Sequence, residues 1–218
     1  LQTLTFSVTG NTNAALFAED GAPVVSSDGT LTYTPAPDAN GIATITLNVS
    51  DNSGGADTSA TQSFTLTVTA VNDMPSFTKG ADQAVAEDCG AVTIANWVVA
   101  KSTGPENEST QSLTFYTNND NVALFTAGGQ PTVAANGTLT YTPALNANGD
   151  ATVTLYVTDN GGTANVGDEN TSPAQTFTIS VAPVNDLPSF TVGDNQTVAE
   201  DCGTQTVGDW IKAKSAGP

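Results

Sequence analysis

The chain has 218 residues, of which 22 are acidic and only four are basic, and its formal net charge is −18. Nucleic acids and anionic membrane surfaces bind proteins through basic faces, so this charge excludes both as partners, and no apolar run is long enough for membrane insertion as a helix. With no histidine, the chain also lacks the residues for Ser-His or Cys-His catalysis and for histidine zinc sites, so we predict that it is not an enzyme.

A sequence repeat organises the whole chain. The segment at 71–77 returns almost unchanged at 184–190, which sets one offset between the copies. The segment at 29–35 returns at 137–143, which sets a slightly smaller offset. The difference between the two offsets indicates a five-residue insertion near 163–170, in a loop. Such a fixed period predicts tandem structural units of about 110 residues each.

The repeat divides the chain into three parts. Residues 1–73 are predicted to be the C-terminal part of one repeat (strands C–G), residues 74–186 a complete repeat, and residues 187–218 the N-terminal part of a further repeat (strands A–B). Two interpretations stay open. The chain is a segment of a longer array, or it is a subunit whose front part is completed by the back part of the next molecule, which produces a head-to-tail filament.

Within the complete repeat, short runs of alternating apolar and polar residues are separated by clusters of Asn, Gly, Asp and Pro. This pattern favours antiparallel strands; in one run it places Val153, Leu155 and Val157 on the same face. The predicted strands are A at 76–79 with a continuation at 83–86, B at 91–98, C at 112–117, D within 122–135, E at 138–142, F at 151–158 and G at 174–182. Seven strands in about 110 residues are typical of an Ig-type sandwich. The predicted fold class is therefore all-β, with tandem seven-stranded Ig-like sandwiches.

Two kinds of aromatic residue recur between repeats. Trp97 and Trp210 fall late in predicted strand B, where an indole ring more often fills a core than binds a ligand. Tyr33 and Tyr141 lie in Leu-Thr-Tyr-Thr-Pro segments and are predicted at the edge of the core, each with a hydroxyl that needs a hydrogen-bond partner.

The two cysteines, Cys89 and Cys202, occupy equivalent places in neighbouring repeats. Equivalent points one sandwich apart lie too far from each other for a disulfide, which needs Cβ atoms about 4 Å apart. Free, partly buried thiols are therefore expected.

Oxygen-bearing side chains recur after strand F, in the linkers, and between strands A and B. Calcium is bound in proteins by about six to eight oxygens from carboxylates, amide side chains and backbone carbonyls. We therefore predict calcium ligands at these places. The candidates are Asp51, Asn72, Asp73, Glu87, Asp88, Asp159, Asn185, Asp186, Glu200 and Asp201. A further acidic loop, at 106–108 between strands B and C, occurs once.

Strand order in an Ig sandwich places these groups at the joints between repeats. Strand F ends at the top of its sandwich, so Asp159 and the loop at 106–108 are expected near the preceding linker. Strand A ends at the bottom, so Glu87 and Asp88 are expected near the following linker at 185–186. Carboxylates from three parts of the sequence then converge at each joint, which is costly without a counter-ion. The competing interpretation is local, because Asn-Asp before Pro is also a common turn.

These motifs resemble a known family. Val-Asn-Asp-x-Pro-Ser-Phe, Val-Thr-Asp-Asn-Gly-Gly at 157–162, and Leu-Thr-Tyr-Thr-Pro-Ala followed by Ala-Asn-Gly are similar to motifs of the cadherin-like Ig sandwiches of large bacterial surface and secreted proteins. The resemblance covers essentially the whole chain. It implies a secreted or cell-surface location.

In cadherins the Asn-Asp linker, an aspartate after strand F and a glutamate between strands A and B bind calcium, which stiffens the string of domains. The resemblance carries these roles to Asn72, Asp73, Asn185 and Asp186, to Asp51 and Asp159, and to Glu87 and Glu200. Cadherins also carry an acidic Asp-Arg-Glu element between strands E and F, where this chain has Ala-Leu-Asn-Ala-Asn-Gly-Asp at 144–150. This departure predicts fewer or weaker ions at each joint.

Three functions are consistent with the sequence. The first is a non-enzymatic extracellular stalk or filament shaft of an adhesin-like protein, with calcium-stiffened joints and with neighbouring repeats or copies of the same protein as end-to-end partners. The second is a head-to-tail polymerising subunit joined by completion of a split sandwich. The third is a module that binds a glycan, ice or a receptor as its cell-surface ligand, which predicts an exposed aromatic or flat threonine array on one face.

Overall fold

A computed structural model describes residues 2–217 of the chain. The strands are β1 (Thr5–Asn11), β2 (Val24–Val25), β3 (Leu31–Thr32), β4 (Gly41–Ser50), β5 (Gln62–Val68), β6 (Ser76–Thr78), β7 (Gln83–Ala86), β8 (Val92–Ile94), β9 (Ala100–Ser102), β10 (Thr114–Asn119), β11 (Thr132–Val133), β12 (Leu139–Tyr141), β13 (Gly149–Thr158), β14 (Gln175–Ala182), β15 (Ser189–Val192) and β16 (Ile211–Ser215). Short 3₁₀ helices lie at Ala14–Leu16, Glu106–Glu108 and Val122–Leu124. These elements confirm the predicted all-β fold class.

The chain forms two compact units. The first runs to Phe77 and also takes in Lys101–Leu113 and Val157–Ser172. The second contains Thr78–Ala100, Thr114–Tyr156 and the described residues from Pro173 onward. The units follow contacts rather than the sequence period, so the repeat boundaries at 73 and 186 stay a prediction.

In the first unit, β1, β4 and β5 form an antiparallel sheet in that order, and β2 pairs with β3. The core consists of buried apolar side chains from the first 3₁₀ helix and from the inward face of β4: Leu16, Phe17, Ala43 and Ile45. Side chains of β5 pack against this core but are only partly buried: Phe64, Leu66 and Val68. One sheet face is therefore covered less completely than the alternation of β5 predicts.

The second unit contains most of the central sandwich. One sheet has the order β10-β13-β14-β7, in which β14 is antiparallel to β13 and parallel to β7. A second sheet has the order β11-β12-β8. Every second residue of β13 is fully buried, and Val153 lies opposite Phe177 of β14. Burial of such a side chain stabilises the fold by roughly 1.5–3 kcal/mol, which explains why the period-two pattern predicted these strands well.

Predicted strand B is interrupted. Its observed part is β8, after which Asn96 adopts a positive φ of 53° and the chain turns. The turn brings Trp97 into the core, where its ring lies 4.4 Å from that of Phe177 and its Nε1–H donates to the carbonyl of Ala81 at 3.0 Å. The chain then continues as β9, which pairs with β6 and was not predicted. Filling the core with the indole therefore outweighs continuation of the strand.

Three other predictions need correction. Trp210 is not a core residue, because 36% of its surface is exposed, whereas Tyr33, at 44% exposed, lies at the edge of the core as predicted, with its ring edge-on to that of buried Phe17 at 6.1 Å. Tyr141 is buried as predicted, but its hydroxyl has no hydrogen-bond partner. Cys89 and Cys202 are free thiols, as expected, yet both are exposed rather than partly buried. Each cysteine follows an aspartate of positive φ at the tip of a turn, which directs it away from any core.

Candidate functional site

The linker asparagine of the first unit, Asn72, is buried, and both its backbone and its side chain form hydrogen bonds. Its backbone N–H donates to Asp168 Oδ1 at 2.8 Å. Its side-chain Nδ2 donates to Asp159 Oδ1 at 3.0 Å and to the carbonyl of Glu169 at 2.8 Å. Its Oδ1 accepts from Gln111 Nε2 at 2.9 Å. The linker is therefore bound to the end of β13, to the loop that follows it, and to the segment before β10.

The next residue of the linker binds the acidic loop. The backbone N–H of Asp73 donates to Glu108 Oε1 at 2.9 Å, and the Glu108 side chain is buried. Gly104, with a φ of 140°, makes room for it, because a Cβ there would collide with Glu108 Oε2. Gly161 does the same for Asn72 and Gln111. These contacts confirm that Asp159 and the loop at 106–108 lie beside the preceding linker.

Three oxygens around this linker have no hydrogen-bond partner although they are buried. They are Glu108 Oε2, Asp159 Oδ2 and Gln111 Oε1. An open pocket of about 180 Å³ lies beside the linker and is lined by Asn72, Glu108 and Gln111 among other residues, but not by Asp159. Buried polar atoms in proteins are almost always paired, so three unpartnered oxygens around one asparagine indicate a missing positively charged or donating group.

The predicted meeting of three carboxylates is not formed in this structure. Within residues 2–217, no three Cys, Asp or Glu side chains lie close enough together to hold a metal ion by themselves. A further carboxylate beside the linker, Asp168, accepts from the backbone N–H groups of Asn72 and Asn165. These bonds, the one from Asn72 first, lower the pKa of Asp168. The unpartnered oxygens thus come from two carboxylates and one amide.

In the second unit, the predicted ligand Glu87 is also buried but has partners at both oxygens. Oε1 accepts from the backbone N–H of Val184 at 2.7 Å, and Oε2 accepts from Asn148 Nδ2 at 3.1 Å. Asp88 Oδ1 accepts from the backbone N–H of Asn146 at 3.0 Å. Glu87 therefore lies near the following linker, as predicted, but its two oxygens accept hydrogen bonds that join that linker to the turn before β13.

The remaining predicted ligands are not brought together. Asp51 accepts from the backbone N–H and the hydroxyl of Ser53, and the hydroxyl bond is the main cause of its lowered pKa. The side chain of Asp51 thus bonds only within its own loop, two residues further along the chain. The others are exposed or half-exposed: Asn185 and Asp186 in the linker after β14, and Glu200 and Asp201 in a turn. The metal role of all ten predicted residues stays a prediction.

Sequence reasoning missed Gln111 and the contribution of the five-residue insertion. The insertion supplies Asp168, and its neighbour Asn165 donates from Nδ2 to the carbonyl of Ala70 at 3.3 Å. The backbone N–H of Glu169 also donates to the carbonyl of Asn72 at 2.8 Å. The sequence did contain a signal for this contribution. The inserted residues are the part of the loop after Asp159 that has no counterpart in the loop after Asp51.

The binding-module hypothesis predicts an exposed aromatic or flat threonine array, and a pair of exposed aromatic side chains is present. Tyr116 of β10 and Tyr156 of β13 stack with ring centroids 5.2 Å apart and an interplanar angle of 15°. Both side chains are exposed, at 46% and 36%. No ligand is identified by this pair, so that hypothesis stays a prediction.

The fold and its linkers define a protein of tandem Ig-like sandwiches, and comparison with known proteins refines that class. Residues 5–69 match the model of the cadherin-like domain, and residues 72–168 match the model of the bacterial Ig domain. The resemblance to cadherin-like and bacterial Ig-like tandem repeats is thereby confirmed. None of the curated proteins matches the chain significantly.

Cadherin ectodomains are among the solved structures that match. Human protocadherin-24 EC1-2 shares the fold, at 19% identity and with a TM-score of 0.53 over 83% of this chain and 82% of that one. Drosophila N-cadherin EC1-4 is 12% identical, with a TM-score of 0.47 over 86% of this chain and 44% of that one. Both matching domain types are typical of extracellular structural repeat proteins and typically lack enzymatic activity. None of the helices within residues 2–217 has the length and hydropathy of a membrane span.

Proposed function

We propose that this chain is a structural shaft of an adhesin-like surface protein, in which calcium stiffens the linker at Asn72 and Asp73. The observation that carries the proposal is the pair of buried carboxylates, Glu108 and Asp159, each with one oxygen bonded to the linker and the other without a partner. Cadherin-like domains generally bind calcium, and residues 5–69, which lead into this linker, match the model of that domain, whereas the site itself lies within the match to the bacterial Ig domain.

The chemistry of this donor set fits calcium. The ion prefers carboxylate, amide and backbone carbonyl oxygens. Glu108 and Asp159 offer carboxylate oxygens, and Gln111 offers an amide oxygen. Two ionised carboxylates buried beside one asparagine are costly without a counter-ion, and the chain has only four basic residues to supply one. Glu108, Asp159 and Gln111 would hold the ion, and when bound it supplies positive charge to their oxygens.

The contacts of the linker explain how such binding would act on stiffness. Asn72 and Asp73 already bridge the acidic loop at 106–108 and the segment from Asp159 to Glu169. Each backbone residue that is fixed loses about 1–2 kcal/mol of conformational entropy, so a linker remains ordered only where its bonds outweigh that cost. An ion held by Glu108 and Asp159 would join these two segments directly and so restrict the linker that lies between them.

The buried glutamate at the linker of the second unit, Glu87, differs from Glu108 in its hydrogen bonds. Both oxygens of Glu87 are occupied by donors from the protein, so an ion there would have to displace Val184 N–H or Asn148. We therefore assign calcium to the linker at 72–73 first. Glu87 provides a natural control, because it is a buried glutamate at a linker without an unpartnered oxygen.

The proposal is tested by calorimetric titration and thermal unfolding with calcium or with chelator, at constant ionic strength and with magnesium as a second control. Calcium at about 100 times its dissociation constant should stabilise the first unit by about 2.7 kcal/mol. The double variant Glu108→Gln/Asp159→Asn should lose this response, whereas Glu87→Gln should keep it despite a lower baseline. An unchanged melting temperature and no binding heat for the unaltered chain would refute the calcium role.

A further inference from the structure

Two tyrosines lie against each other on neighbouring strands of the central sandwich. Tyr116 belongs to β10 and Tyr156 to β13, which are adjacent in the sheet of order β10-β13-β14-β7. Their ring centroids are 5.2 Å apart, and their ring planes differ by 15°. Aromatic pairs of this kind commonly stabilise neighbouring strands by packing alone. This pair also brings two phenol groups within reach of each other.

Both rings are open to the solvent. Tyr116 is 46% exposed and Tyr156 is 36% exposed. A small oxidant in the surrounding solution can therefore reach either phenol. Exposed side chains change rotamer within picoseconds to nanoseconds, so the two rings can leave the stacked arrangement while the backbone stays in place.

Hydrogen bonds on either side of the pair keep the two strands together. The backbone N–H of Thr152 donates to Asp120 Oδ1 at 2.7 Å, and the backbone N–H of Asp120 donates to the carbonyl of Thr152 at 3.2 Å. Beside Tyr116, Thr117 Oγ1 donates to the carbonyl of Pro131 at 2.6 Å. Groups held together in this way have an effective concentration for each other that does not depend on the protein concentration.

The other two of the four tyrosines lack this arrangement. Their nearest aromatic neighbours are phenylalanines, Phe17 beside Tyr33 and Phe125 beside Tyr141. Tyr33 is exposed, whereas Tyr141 is only 2% exposed. The chain thus carries one stacked pair of solvent-exposed phenols together with an exposed and a buried tyrosine that serve as internal controls.

We propose that Tyr116 and Tyr156 form an oxidative cross-linking site, at which hydrogen peroxide and a peroxidase join the two rings as dityrosine. Each phenol loses one electron and one proton and becomes a phenoxyl radical, whose unpaired electron lies partly on the carbons ortho to the oxygen. A bond forms between one ortho carbon of each ring. The two hydrogens on these carbons move to the two oxygens, which restores both aromatic rings. The two electrons and two protons that were released convert one hydrogen peroxide into two water molecules.

The cross-link ties the edge of the sheet to its interior. β10 is the edge strand of its sheet, and edge strands are the places where a sheet can open or pair wrongly. The new bond closes a loop of about 40 residues, which removes conformational freedom from the unfolded chain. No metal takes part, so this stabilisation is separate from the calcium proposed at the linker.

The first experiment treats the full chain with a peroxidase and hydrogen peroxide, in a Cys89→Ser/Cys202→Ser background and with chelator present. The two exposed thiols are replaced because thiols quench phenoxyl radicals. Dityrosine fluorescence should appear in the monomer, and mass spectrometry of a digest should find the peptides of Tyr116 and Tyr156 joined with the loss of two hydrogens. Tyr116→Phe should lower the yield about tenfold or more, because no other pair of tyrosines has this effective concentration, whereas Tyr33→Phe should leave it unchanged.

The dependence on protein concentration separates this site from chance collisions between chains. The yield of dityrosine per chain should stay constant on dilution, because both rings belong to one molecule. A yield that falls with dilution, or a yield that survives Tyr116→Phe, overturns the proposal. So does the absence of dityrosine in the unaltered pair under conditions that join free tyrosine in solution.

The second experiment measures the consequence for stability. The purified cross-linked monomer should melt at least about 5 °C above the untreated chain, and the backbone amides of β10 should exchange their hydrogens more slowly. Tyr116→Phe treated in the same way is the control, because exposed Met74 and Trp210 are oxidised in that variant too. An equal shift in the control, or no shift in a chain whose cross-link has formed, overturns the stabilising role of the site.

Discussion

The complete central repeat and the copies of its parts at either end of the chain differ in burial far more than in sequence. Trp97 and Trp210 make the same hydrogen bond through Nε1, at 3.0 Å in both cases, yet only Trp97 is enclosed. The local sequence therefore determines the turn and the orientation of the indole. Enclosure requires the other half of the sandwich, with Phe177 opposite the ring.

The largest expected difference is in stability. Trp97→Ala should lower the free energy of unfolding of the central repeat by about 3–5 kcal/mol, because it removes a large ring from a closed core. Trp210→Ala should change stability by less than about 1 kcal/mol, because the Trp210 ring is 36% exposed. Urea unfolding followed by circular dichroism measures both. Equal losses in the two variants would show that the two tryptophans have the same surroundings.

The second comparison uses glutamates at equivalent positions. Glu87→Ala should destabilise the central repeat by about 2–3 kcal/mol, because it leaves the backbone N–H of Val184 and the amide of Asn148 without their charged acceptor. Its copy Glu200 is exposed, so Glu200→Ala should fall within about 0.5 kcal/mol of the unaltered chain. Thermal unfolding in chelator measures this difference without any contribution from calcium. A large effect of Glu200→Ala would instead reveal a partner for the exposed turn.

The smallest effect at neutral pH is expected at the tyrosines. Burial, and secondarily the nearby Cys89, raises the pKa of Tyr141 to about 12 from an ordinary value near 10. The folded state thus holds the phenolic proton more tightly than the unfolded state, so the stabilisation is complete below pH 10 and is lost as the pH rises toward 12. Tyr141→Phe should remove this alkaline loss and change little at pH 7, because the hydroxyl has no partner.

The control for this pH profile is Tyr33→Phe, since the side chain of Tyr33 is largely exposed. Tyr33→Phe should keep the alkaline loss of stability seen in the unaltered chain, because Tyr141 is unchanged in that variant. If Tyr141→Phe leaves the alkaline transition in place, another group is responsible for it.

Much of the fold was predictable because strand burial follows a simple period. The alternation in β13 and β14 predicted Val153, Leu155 and Ile179 as buried, and all of them are. The break after β8 was not predictable in the same way. It depends on the positive φ of Asn96 and on the space that the core leaves for Trp97, which are properties of the assembled sandwich.

The candidate site was predictable only by region. Recurring Asn-Asp and Glu-Asp pairs indicated which loops lie near a linker, and the contacts of Asn72 with Asp159 and of Val184 with Glu87 confirm this. Those bonds join residues 87 and 97 positions apart, so the sequence cannot tell which acceptors are already occupied. That occupancy separates Glu87, whose oxygens are both paired, from Glu108, which has one free.

The loop that begins at Asp159 has a mechanical consequence. Three of its residues, Asn165, Asp168 and Glu169, form hydrogen bonds with the linker at Ala70 and Asn72. The shorter loop after Asp51 contains no counterpart of these inserted residues. In a string of such repeats, we therefore expect the length of this surface loop to influence how firmly each linker is held. Adding or deleting five residues there would change the bending elasticity of the string while leaving every sandwich core intact.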